Sequence, residues 1–360
     1  MKILLFGTGK TGTTALTYAI KEKLSNHKII FEPSSLSDID YFSQKNLIVK
    51  SLKIMDWQKE QEYFKNFDRK ILIVRDPLDR LVSSFLYIPY DGNGFSNDYL
   101  ASKYIELLKK KTDQPDSVSV LSIVKLLNKI TGIKLIKQSV SRYEQILMLS
   151  RQKNHDFFLM RYEDFIDQNT QTMAKYLGIK LSQEVVVDSK YKRVSRTKKH
   201  SDWKNWFTLN DLNSVSKKFG DFNTEFNYSY TQKKNYLPKI NRENSYQYTI
   251  NVINEYRRKN LLPEFEENKI NIGQEGTFID KAIAQLRKNN FSDAELAINK
   301  AIEINPSLPS VYLLQGRILS QQNRFQEAVL AVSNVIKNYP NYSNAYEQLR
   351  RILQRQKKIG

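Results

Sequence analysis

The chain has 360 residues, no cysteine, 40% apolar residues and a net charge of +19. These values exclude a disulfide framework or a cysteine metal site, offer no apolar run long enough to span a bilayer, and suit two domains with real cores. The cationic excess points to an anionic ligand, although scattered lysines are also ordinary solvated surface.

Ile3-Leu4-Leu5-Phe6 reads as a short buried strand. It is too short for the apolar core of a signal peptide, so a soluble, cytoplasmic protein is expected. It runs straight into Gly7-Thr8-Gly9-Lys10-Thr11-Gly12-Thr13-Thr14. A strand, a glycine-rich turn and a helix start present N–H groups and the positive end of the helix dipole to an anion. Gly7 and Gly12 have Walker A spacing, but that motif puts its lysine after the second glycine. Here Lys10 lies inside the loop, which weakens a nucleotide-kinase reading.

Lys28-Ile29-Ile30-Phe31 reads as a second strand, ending at Glu32-Pro33. Carboxyl ends of parallel strands line the ligand crevice, so Glu32 is a candidate general base. The competing reading is a surface acid before a turn-forming proline. Leu47-Ile48-Val49 is a third strand and delivers Lys50 and Ser51. Ile71-Leu72-Ile73-Val74 is a fourth, and Arg75-Asp76-Pro77-Leu78-Asp79-Arg80 opens a second strand–turn–helix anion site. Two such sites in one α/β unit fit a ligand with two separate phosphate-like groups. Helical patterns follow at 97–110 and 117–130, then a strand at Phe157-Phe158-Leu159-Met160. Residues 86–150 are expected to face the substrate.

Residues 231–272 read as a connector with one helix, at 244–260. Beyond it, a 34-residue step lays Phe291 on Phe325, Ala294 on Ala328, Ala297 on Ala331, Pro306 on Pro340 and Tyr312 on Tyr346. With Ala282 and Gly316 at small-residue positions, this resembles tetratricopeptide (TPR) repeats, at 275–308 and 309–342, with a partial third helix at 343–357. Such helix pairs need neighbours. The array is therefore expected to dock on 244–260 or on the catalytic domain, and to bind a protein partner or self-associate.

The N-terminal part resembles the sulfotransferases that use 3′-phosphoadenosine 5′-phosphosulfate (PAPS). The resemblance runs over about residues 3–210, in four stretches in the family's order: the loop around Lys10; Arg75 with Ser83 eight residues on; Arg161-Tyr162-Glu163-Asp164; and Arg196-Thr197-Lys198-Lys199-His200-Ser201-Asp202-Trp203. It implies that Lys10, Thr11, Gly12, Thr13 and Thr14 hold the 5′-phosphosulfate. Arg75, Ser83 and Arg196 hold the 3′-phosphate, Tyr162 lies on the adenine side, and Arg196, Thr197 and Lys198 belong to a closing segment. Departures are Ala15 where one branch has a stacking Trp, and Leu52 where it has a catalytic His. Glu32 resembles the base of the carbohydrate branch.

The expected protein is thus a P-loop-type three-layer α/β domain with a central parallel sheet (1–230), a connector (231–272) and C-terminal all-α TPR hairpins (273–360). The expected activity is sulfuryl transfer from PAPS to an acceptor hydroxyl, carbohydrate favoured, with Lys10 and Glu32 catalytic and PAP as product. No metal and no nucleic-acid partner are expected. A P-loop nucleotide or nucleoside kinase, or a decayed TPR scaffold, are the alternatives.

Overall fold

A computed structural model describes residues 1–360 except 91–92, 153–155, 182–184, 195, 232–235, 267–273, 307, 341 and 360. It is an α/β structure. Strands β1 (Lys2–Phe6), β2 (Lys28–Phe31), β3 (Leu47–Ser51), β4 (Arg69–Val74) and β5 (Phe158–Arg161) form one sheet in the order β2-β3-β1-β4-β5. Every neighbouring pair is parallel.

Ile3, Leu4, Leu5 and Phe6 are fully buried, as are Leu47–Val49 and Ile71–Val74. Strands covered on both faces carry continuous apolar runs rather than alternation. On one face Ile3, Leu5, Ile48, Ile71 and Ile73 form a core with Leu16, Ala19 and Ile20 of the helix Thr13–Lys23. Met173 and Leu177 of the helix Gln171–Leu177 close it. Each such side chain contributes roughly 1.5–3 kcal/mol by leaving water.

From β1 the chain moves outward to β2 and returns to β3, then crosses to β4 on the other side of β1. Winding therefore reverses between β1 and β4. In open parallel sheets the ligand crevice lies at that reversal, outside the carboxyl ends.

The chain divides into two compact units: Met1–Leu86 with Lys110–Asn128 and Ile133–Asn244, and Tyr87–Lys109 with Lys129–Gly132 and Ser245–Gly360. The first holds the sheet. It also holds the helix Leu135–Ser150, for which no sequence expectation was formed. The expected helices at 97–110 and 117–130 are Asp98–Asp113 and Val120–Thr131. No described helix is long and apolar enough to cross a membrane.

In the second unit the helices Gln274–Arg287, Phe291–Ile304, Pro309–Gln321, Phe325–Asn338 and Ser343–Ile359 each pack on the next. Gly316 is there because a Cβ would sit 2.7 Å from Val332 and 3.1 Å from the Ala328 carbonyl. The helix Tyr246–Lys259 brings Tyr256 into the apolar cluster of Leu319, Ala328, Val332 and Ile352. Residues 87–109 also join this unit. Tyr99 enters the cluster of Ile279, Ala294 and Ile298, and its hydroxyl donates to Asp280 at 2.6 Å. Arg257, almost fully buried, donates to the Phe95 and Ser96 carbonyls and pairs with Asp98 at 2.5 Å.

Candidate functional site

All five strands of the first unit end at one edge, and each delivers a polar group there. In sheet order these are Glu32 after β2, Lys50 and Ser51 at the end of β3, the 7–14 loop after β1, Arg75 after β4, and Tyr162 after β5. Strands lie about 4.8 Å apart, so Glu32 is roughly 10 Å along the edge from the β1 loop.

The β1 loop is stitched to its neighbours. The Gly7 N–H donates to the Ser51 carbonyl at 3.2 Å, and Thr11 Oγ1 donates to the Thr8 carbonyl at 2.6 Å. Arg80, fully buried, donates from Nε to the Gly9 carbonyl and from Nη2 to Thr8 Oγ1, both at 2.9 Å. Lys10 turns through a left-handed conformation, φ 69°, and Gly12 through another, φ 84°. Gly12 caps the helix Thr13–Lys23 with no side-chain cap and no acid in the first turn. The first-turn N–H groups lack intrahelical acceptors, so the helix opens as an anion-binding end. Thr13 and Thr14 are buried against it. Leu52 packs beside Gly9: a Cβ there would lie 3.9 Å from its Cδ1.

Arg75 is 5% exposed. Its Nη1 donates to the Lys10 carbonyl at 2.9 Å, and its guanidinium lies 4.2 Å from the Tyr162 ring centroid. Its Nε is buried with no hydrogen-bond partner among the described residues. A buried guanidinium with an unmet donor is costly without an acceptor. The Tyr162 ring is wedged between this arginine and Gly12, where an added Cβ would lie 2.4 Å from the ring. Ser83 is buried on the helix Pro77–Tyr87.

Behind Arg75 lies a cluster of buried acids. Asp76 Oδ1 accepts the N–H groups of Leu78 and Asp79 and caps that helix. Glu163 accepts the Asp76 N–H at 2.9 Å and the Tyr228 hydroxyl at 2.9 Å. Burial, with the Asp79 and Glu163 charges, pushes the Asp76 carboxyl up from 3.8 to about 8. Burial also raises Asp79, against the opposing pull of Arg75 and of two backbone N–H groups. Folding therefore takes up a proton on Asp76 between pH 4 and 8, and stability falls as pH rises through that window. Asp76→Asn keeps the capping oxygen and removes the ionisation. Thermal midpoints measured from pH 5 to 8 should fall in the native chain and fall less in the variant. Parallel slopes would contradict the shift.

Glu32 has φ 49°, and its N–H donates to the Lys50 carbonyl at 2.7 Å. Its carboxylate pairs with Lys50 Nζ at 2.5 Å, with the lysine side chain 5% exposed and the glutamate 51%. The structure thus gives Glu32 a buried cationic partner and leaves it open to solvent.

Arg196 is held by Asp202 at 2.5 Å and donates to the Asn244 carbonyl at 2.9 Å. Its Nε, like that of Arg75, is buried without a partner among the described residues. Thr197 Oγ1 accepts the Lys199 N–H, and Lys198 is exposed with φ 49°. His200 faces Asp167, both carboxylate oxygens lying 3.0 Å from Nε2. His27, just before β2, is 7% exposed.

Sequence reasoning missed the supporting acids Asp76, Asp79 and Glu163, together with Arg80. They lie in mixed charged stretches, Arg75-Asp76-Pro77-Leu78-Asp79-Arg80 and Arg161-Tyr162-Glu163-Asp164, whose spacing does not mark them as buried. Scanned against protein-family models, curated proteins and solved structures, the chain matches none.

Proposed function

We propose that the first unit is a PAPS-dependent sulfotransferase with a P-loop-type fold. The observation that carries this reading is the strand edge at the winding reversal. It sets an uncapped helix end beside Lys10 next to a buried arginine whose Nε has no partner among the described residues. The residues fit a ligand with two anionic groups. Lys10, Gly12 and the first turn at Thr11, Thr13 and Thr14 would hold the 5′-phosphosulfate. Arg75, Ser83 and Arg196 would hold the 3′-phosphate, with Tyr162 bracing Arg75 and Thr197 and Lys198 beside it. A planar guanidinium favours phosphate through paired contacts.

PAPS supplies an activated sulfuryl group. The acceptor hydroxyl oxygen forms the new bond to sulfur as the bond from sulfur to the 5′-phosphate oxygen breaks. Glu32 takes the hydroxyl proton, and Lys10 neutralises the charge left on the departing phosphate. By analogy with phosphoryl transfer, positioning and charge stabilisation supply most of the acceleration. Lys50 holds the Glu32 carboxylate toward the edge. A carbohydrate hydroxyl is the favoured acceptor, because an open carboxylate suits a solvated polyol.

The helices from 274 to 359 support a TPR-like array. Helix starts recur at Phe291 and Phe325, and at Pro309 and Ser343, each pair 34 residues apart. Asn289 and Asn323 are both left-handed at the turns between. We assign this array to protein-partner binding or self-association.

Calorimetry with 3′,5′-adenosine bisphosphate, 5′-AMP and ATP with Mg2+ tests the assignment. The bisphosphate should bind tightest and lose that advantage in Arg75→Ala. A preference for ATP would turn the reading toward a kinase, and binding of none toward a scaffold. Glu32→Gln should abolish turnover and leave bisphosphate affinity intact. Weakened binding with normal turnover would move the base elsewhere.

A further inference from the structure

Asp79 stands in the first turn of the helix Pro77–Tyr87, where a carboxylate ordinarily serves its own helix. Here Asp76 already does so. Asp79 is fully buried, and both its oxygens are given to a distant segment. Oδ2 accepts the Ser201 N–H at 2.5 Å, and Oδ1 accepts the Trp203 N–H at 2.8 Å. These residues are 122 and 124 positions away and flank Asp202. The Asp202 carboxylate takes Arg196 Nη2 at 2.5 Å and Trp206 Nε1 at 3.2 Å.

A continuous set of contacts thus runs from Asp79, through the backbone on both sides of Asp202, to the Arg196 guanidinium. The Arg75 charge also acts on Asp79, so one carboxylate is coupled to Arg75 by charge and to Arg196 through this set of contacts. Lys198 and Ser201 are left-handed, at φ 49° and 59°. Non-glycine residues keep that conformation only where their surroundings impose it. Two N–H contacts on one buried carboxylate hold it at Ser201.

We infer that Asp79 is a positioning residue: it fixes the 196–203 segment before nucleotide arrives, and so sets the preference for a 3′-phosphorylated nucleotide. This rests on the PAPS reading for the identity of the ligand, but the fixing of the segment does not. Asp79→Asn replaces one acceptor oxygen with an NH2 that faces an N–H donor, and the segment should loosen.

Amide hydrogen exchange on the ligand-free full chain provides the first readout. Ser201 and Trp203 should be protected in the native chain and exchange freely in Asp79→Asn. Affinity for 3′,5′-adenosine bisphosphate and for 5′-AMP provides the second. If the segment is in place in roughly 1–10% of variant molecules, bisphosphate affinity falls about 10- to 100-fold, through slower association. Affinity for 5′-AMP should not change. A merely structural residue would weaken both ligands alike.

Asp202→Asn leaves both Asp79 contacts in place, since the backbone of residues 201 and 203 makes them, and weakens the hold on Arg196 along with the Trp206 contact. It should show the same selective loss with the two amides still protected, which secures the test should Asp79→Asn fold poorly. Free exchange at Ser201 and Trp203 in the native chain would overturn the inference. So would an equal loss for both ligands, or no loss in either variant. If the native chain binds neither ligand, the PAPS reading fails, and with it the 3′-phosphate preference; protected amides would still establish the fixed segment.

Discussion

Lys10→Ala should lower sulfuryl transfer by two to three orders of magnitude, since loss of one preorganised charge-stabilising donor costs roughly 3–4 kcal/mol in the transition state. The effect should fall on kcat more than on donor affinity, because the negative charge on the leaving oxygen grows as the bond to sulfur breaks. The backbone contacts survive the change. The Lys10 carbonyl still receives Arg75 Nη1, and Arg80 still holds the Gly9 carbonyl. Bisphosphate binding measured by calorimetry therefore serves as the control for loop integrity. Turnover of PAPS at the native rate in Lys10→Ala would remove Lys10 from the chemistry.

Gly12→Ala should be the most damaging small substitution in the first unit. The position needs φ 84°, and the new methyl would meet the Tyr162 ring at 2.4 Å. A left-handed non-glycine residue costs of order 1–3 kcal/mol, and an overpacked contact typically adds another 1–3. The ring cannot retreat easily, because Arg75 lies on it 4.2 Å from the centroid. We expect unfolding measurements to show a loss of about 2–6 kcal/mol. Bisphosphate affinity should drop with it, since the helix end moves away from the arginine. Adding Tyr162→Ala should recover the steric part and leave the backbone part. A double variant no more stable than Gly12→Ala would show that the ring is not the obstacle.

The central strands were legible because burial on both faces leaves an unbroken apolar run, as in Ile3–Phe6 and Ile71–Val74. β2 was legible for another reason: it carries its glutamate and proline straight after the run. The 34-residue spacing exposed the C-terminal helices because alanine and glycine must recur wherever two helices approach closely, as at Ala328 and Gly316. The helix Leu135–Ser150 was not read, since its apolar residues are interleaved with charged ones.

The site was legible as a list of groups on loops, because glycines, threonines and arginines mark themselves. Its support was not. That Asp79 would serve residues 122 and 124 positions away, and Glu163 the Asp76 N–H, depends on tertiary neighbours that spacing does not encode. The pairing of Glu32 with Lys50 lies between these cases. It follows from β2 and β3 being adjacent, with Phe31 opposite Lys50, which a reading of strands without their order does not supply.

The second unit is assembled from residues 87–109, 129–132 and 245–360. On the ribosome, Phe95, Tyr99 and Tyr104 emerge well over a hundred residues before the helices that bury Tyr99. At 5–20 residues per second that interval is roughly ten to forty seconds. During it, an aromatic-rich stretch waits uncovered in the middle of a nascent polypeptide. Chaperone demand should therefore peak late in synthesis, and a chain stopped near residue 244 should be sticky even where its sheet is sound.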